Sequence, residues 1–153
     1  MIPESLRENP VAAALDDLAT AANLDHGELT VEVEPGRILD ALGRLKNDLN
    51  FERLSTVTAV DRYPAEPRFE VVYHLQSVAM KQWLRLKARV PGRNPEIASA
   101  TAVYRSANWY ERETFDLFGV RFLNHPDLTR IMMPADWEGH PLRKDYPVTG
   151  TRY

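Results

Sequence analysis

A chain of 153 residues with 19 basic and 22 acidic side chains and a net charge of −3 can bury one sizeable core, and it has no bulk attraction for nucleic acid. It contains no cysteine, which excludes disulfides, thiolate zinc sites and cysteine-ligated iron–sulfur clusters within this polypeptide. No run approaches the roughly 18 consecutive apolar residues of a membrane helix, and the opening MIPESLRENP lacks a basic region followed by an apolar stretch. Neither a spanning segment nor a signal peptide is expected, and the chain reads as cytoplasmic.

In chain order, Val11, Ala14, Leu15, Leu18 and Ala22 share one face at helical spacing, with Asn9 as cap and Pro10 at the first position; this predicts a helix over 10–22. Residues 29–34 alternate and predict a half-buried strand, and Pro35-Gly36 turns the chain. Ile38, Leu39, Leu42, Leu45 and Leu49 form the stripe of a second helix ending near Asn50. Three β-like runs follow, over 54–60, 69–75 and 84–90. The last places Arg85, Lys87 and Arg89 on a basic outer face, read as solvated sheet surface, with docking of an acidic partner as the other reading. Asn94-Pro95-Glu96 reads as a helix start, with the helix continuing to about Ala107. Asn108 then caps again, with Glu111 in the capping-box position and Gly119 as a left-handed stop. The economical packing is a two-layer α+β domain over 1–120, helices on one face of a mixed sheet, followed by an extended arm over 121–153.

There is no glycine-rich phosphate loop, GxSxG elbow or HExxH. His125, Asp127 and His140 could hold a metal in a small hydrolase, but their spacing matches no ligand pattern, and local hydrogen bonding in an irregular segment accounts for them. Glu111, Glu113 and Asp116 could form an acid–base cluster, but a solvated or partner-facing helix with Arg112 paired to Asp116 explains the set without catalysis. No catalytic, cofactor-binding or metal-ligating residue is assigned. Residues 108–147 instead interleave charges and aromatics and then run through Pro126, Pro134, Pro141 and Pro147 without periodicity. Phe122, Leu123, Leu128, Ile131, Met132, Met133, Trp137 and Leu142 need burial there, so the segment reads as an arm that hugs its own surface or a partner's. Its expected anchors are the aromatics Trp109, Phe118, Trp137 and Tyr146, with Arg112, Arg130, Arg143 and Lys144 supplying charge-assisted hydrogen bonds.

One ordered string of uncommon residues runs through this segment: Ala107-Asn108-Trp109, Glu111-Arg112-Glu113, Asp116, Phe118-Gly119-Val120, Phe122, His125-Pro126, Leu128, Arg130-Ile131, Asp136-Trp137, Gly139 and Pro141 through Pro147. It resembles the signature of the C subunit of NADH:quinone oxidoreductase, respiratory complex I. The resemblance implies an α+β subunit of the peripheral arm on the cytoplasmic side of the membrane, held there through the complex. It also implies no cofactor and no catalytic residue in this chain. FMN, iron–sulfur clusters and the quinone cavity of the proton-translocating complex would lie in partner subunits, and the large quinone-module subunit would receive the arm. Related subunits in membrane-bound hydrogenases and in complexes fed by ferredoxin or another donor share the resemblance. Asn124 stands where this family commonly has Gly, a substitution that a left-handed backbone tolerates best after Gly itself.

Overall fold

The computed structural model describes residues 1–150. Short helix α1 (Pro10–Ala14) begins where Asn9 Oδ1 accepts from the amides of Val11 and Ala12, with Pro10 as its first residue. Strands β1 (Ala19–Asp25) and β2 (Glu28–Val33) form a hairpin. Helix α2 (Ile38–Asn47) and strands β3 (Arg53–Asp61), β4 (Phe69–Ser77) and β5 (Gln82–Val90) follow. The five strands make one mixed sheet in the order β1-β2-β5-β4-β3, parallel only between β2 and β5.

Alternation decides which face is dry. Val31, Leu86, Tyr73 and Val57 stand side by side across four strands and are all buried, as are Leu29, Leu84, Leu75 and Leu54 in the neighbouring row. Ile38, Ala41, Leu42 and Leu45 of α2 close the same core. So does helix α3 (Ala107–Phe118), which packs mainly on β3 and buries Ala107, Glu111 and Thr114. The other face of the sheet carries Thr30, Arg85, His74 and Thr56 in one row, and among the described residues no helix lies over it. The two-layer α+β arrangement expected from the sequence is therefore the observed one.

Three local expectations give way. The stripe over 10–22 supports only one short helix, because Ala19–Asp25 is claimed by pairing with β2; Leu15 and Leu18 reach the core from turns. Nor is there a helix from 94: Asn94 sits at φ 50, outside the extended region a cap needs, and Glu96–Ala98 forms strand β6. This strand pairs in parallel with β7 (Arg121–Leu123), so the first residues of the expected arm belong to a second small sheet. Finally, α3 starts one residue before Asn108, and Glu111 turns into the core instead of back to a cap.

Candidate partner interface

Beyond β7 the chain crosses the surface as a strap. From 124 to 150 no residue is buried, yet the path is tied down by polar contacts along α3. Trp109, Arg112 and Asp116 lie on one strip of that helix at i, i+3 and i+7 spacing, and the strap follows the strip. His125 Nδ1 accepts from the amide of Asp127, so its Nε2 carries the proton and donates to Asn108 O at 3.0 Å. Arg112 donates to the carbonyl and hydroxyl of Thr129 and stacks 4.6 Å over the Trp109 ring. It does not pair with Asp116, as its spacing had suggested.

Asp116 is the hub. One oxygen accepts from Arg130 Nη1 at 2.9 Å; the other accepts the successive amides of Ile131, Met132 and Met133 at 3.0, 2.6 and 2.9 Å. Three consecutive amides around one oxygen form an anion nest of the strap's own backbone. Burial alone would raise this carboxyl, but the amides and Arg130 outweigh it and hold the group below its usual range.

The strap also finishes the helix. The last carbonyls of a helix lack internal partners. Here Asp116 O accepts from His140 Nδ1 at 2.9 Å, Leu117 O from the amide of Leu142 at 3.0 Å, and Phe118 O from Arg143 Nε at 2.6 Å. A guanidinium at this end also suits the helix dipole. The chain leaves α3 through Gly119 at φ +79, the left-handed stop read from the sequence, and a Cβ there would meet Arg143 Nη2 at 2.5 Å and the His140 ring at 2.6 Å. Asn124 likewise adopts φ 64.

At its far end the strap is locked to the sheet. Arg68 donates Nε and Nη2 to both oxygens of Asp61, each at 2.8 Å, and Nη2 and Nη1 to Asp145 at 2.7 and 3.2 Å. The amide of Lys144 adds a bond to Asp61 at 2.8 Å. Asp61 is nearly sealed, and the Arg68 guanidinium holds its carboxyl far below the ordinary range.

The eight residues read as partner anchors thus fall into groups. Arg112, Arg130 and Arg143 bind their own chain; Phe118 is half-buried, edge-on to Phe69 with centroids 6.5 Å apart; Trp137 Nε1 donates to Tyr146 Oη at 3.1 Å. Trp109 faces outward at 64 % exposure, and the Lys144 side chain is exposed. Met132 and Leu142 join them, exposed by 62 % and 53 %. Sequence reasoning missed the hub and the lock. The partners of Asp116 are backbone amides of the strap, and Asp61 and Arg68 lie far upstream of Asp145, so no spacing rule reveals either. Among the described residues no group of His, Cys, Asp and Glu could hold a metal ion, and no helix is long and apolar enough to cross a membrane.

Fold and strap together define an α+β protein that carries a polar-anchored strap exposing Met132 and Leu142 among charged side chains. The chain belongs to the family described as the 30 Kd subunit of the respiratory-chain NADH dehydrogenase, which matches residues 31–152. It is 52 % identical over 124 residues to the C subunit of NADH-quinone oxidoreductase from Citrifermentans bemidjiense, covering 81 % of this chain and 77 % of that one. It is 54 % identical over 127 residues to the corresponding protein of Trichlorobacter lovleyi, covering 82 % and 78 %. A solved trypsin-resistant fragment of Nqo5 superposes with a TM-score of 0.64 at 31 % identity, over 70 % of this chain and 88 % of the fragment. A chain of the membrane-bound sulfane sulfur reductase, an archaeal respiratory membrane complex, superposes with a TM-score of 0.77 at 30 % identity, over 92 % and 85 %.

Proposed function

We propose that this chain is a docking subunit of the peripheral arm of a proton-translocating NADH–quinone oxidoreductase, on the cytoplasmic side of the membrane and attached to it only through its neighbours. Electron transfer from NADH through FMN and iron–sulfur clusters to quinone takes place in the partner subunits. This chain supplies no cofactor ligand and no catalytic group; it shapes and holds the assembly. The observation that carries the reading is the strap: Arg130, Arg143 and the amides of residues 131–133 are turned inward onto α3, while Met132 and Leu142 of the strap and Trp109 of the helix are presented outward among exposed charges. The large quinone-module subunit is the proposed receiver, and Trp137, Tyr146 and Lys144 complete the contact.

The likeness to a chain of the sulfane sulfur reductase complex favours a second reading, the same docking role in an assembly fed by another donor. Purification of the native assembly through a tag on this chain tests both. Cluster-bearing and flavin-bearing subunits should co-purify, and the donor module found decides between the readings. Met132→Glu and Leu142→Glu alter exposed side chains, so the free chain should melt as the parent does while recovery of the partners falls severalfold. Wild-type chain recovered alone, or charged variants that assemble at parental yield, would overturn the proposal.

A further inference from the structure

The uncovered face of the sheet has its own chemistry. Across β3, β4 and β5 its rows read Arg53, Gln76, Trp83; then Thr56, His74, Arg85; then Thr58, Val72, Lys87; then Val60, Glu70, Arg89. Within these rows the one carboxylate is Glu70. Glu70, only 6 % exposed, is approached by Lys87 Nζ at 2.9 Å, Arg62 Nη2 at 3.4 Å and Arg89 Nε at 3.6 Å. Arg89 Nε is buried and makes no hydrogen bond. Arg85 donates Nε to His74 at 3.2 Å, which leaves its charge unopposed except for Glu28 at 3.5 Å on β2. Three cations thus alternate along β5, about 7 Å apart, in a chain whose net charge is −3. At the end of the same face Trp83 is 52 % exposed. An exposed aromatic beside rows of charge has the composition of a protein interface more than of a bare solvated surface.

We propose that the open face of β3–β5 is a second docking surface, and that its occupant is an acidic surface of a neighbouring polypeptide, its carboxylates meeting Arg85, Lys87 and Arg53 while an apolar side chain covers Trp83. Glu28 and Glu32 border the cations on β2. A phosphate backbone would meet these carboxylates as well as the cations, whereas a protein can place charges of both signs. The inference rests on the docking reading given above, and it adds a second neighbour on the side opposite the helices.

Hydroxyl-radical footprinting of the tagged native assembly against the free chain tests it. Trp83 should be oxidised severalfold more slowly in the assembly. Lys87 is left untouched because it supports Glu70; Arg53→Glu with Arg85→Glu should keep the parental melting temperature of the free chain. That variant should also lower severalfold the salt concentration that strips the neighbour away. Equal oxidation of Trp83 in both states, or a salt profile that the variant leaves unmoved, overturns this surface and spares the strap. Wild-type chain purifying alone overturns both. Tight binding of a single-stranded oligonucleotide by the free chain at physiological salt overturns the acidic-protein occupant.

Discussion

Glu111 and Asp116 are both sealed from water on helix α3, and their surroundings push them in opposite directions. Burial drives Glu111 up to about 7 from 4.5, only partly offset by bonds from Ser99 Oγ at 2.6 Å and the amide of Ala100 at 2.5 Å, with no cation beside it. Between those two values the folded chain keeps a proton that the unfolded chain releases. This contribution to stability is therefore complete below 4.5 and is lost as pH rises through about 7. Glu111→Gln keeps an acceptor for the Ala100 amide and brings an NH2 to Ser99 Oγ, whose hydroxyl can turn to Thr101 Oγ1 instead. It should exceed the parent at pH 8 by about 3 kcal/mol and match it near pH 4, measured by denaturant unfolding at the two pH values. Asp116 behaves in the reverse sense: its depressed carboxyl stabilises above the usual carboxylate range, and the contribution is lost as pH falls through its folded value. Asp116→Asn leaves Arg130 facing a neutral amide and should cost about 3 kcal/mol. Hydrogen exchange should show the loss first at the amides of Ile131, Met132 and Met133, ahead of those in the sheet.

Helix α3 and the strap form one unit, because the helix ends on groups the strap provides. Gly119→Ala therefore meets two obstacles, a left-handed backbone and the volume taken by Arg143 and His140. It should cost about 1–2 kcal/mol from the backbone alone, more with the displaced strap, and should speed proteolytic cleavage between 130 and 145. Unchanged cleavage would show that the strap does not depend on this turn. Gly119 was legible in the sequence because a positive φ is a property of one residue and its neighbours. Strands β2 to β5 and helix α2 were legible because their buried faces repeat with fixed periods. Periodicity misled over 10–22, where edge pairing with β2 outweighed a helical stripe, and cap signals misled at 94, where Glu96–Ala98 joined a strand rather than a helix. For the strap, periodicity carried no information. The sequence showed that it needs a surface, but Arg112, Arg130 and Arg143 find that surface on their own chain, through backbone carbonyls, a hydroxyl and one carboxylate that no residue spacing encodes.

The molecule offers two chemically different sides. The helix side presents Trp109 beside the strap's Met132 and Leu142, and the open sheet presents alternating cations with a half-exposed tryptophan at one end. A subunit with two such sides can join neighbours that never touch each other, with its core as the spacer. The Arg68 lock between Asp61 and Asp145 has a further consequence. A segment pinned at both ends is already ordered in the free chain, so under the proposed docking role its loss of chain freedom belongs to folding and not to the encounter. Association should then look like the meeting of two rigid bodies: a single kinetic phase, and a heat-capacity change matching the surface covered, with no added signature of coupled folding.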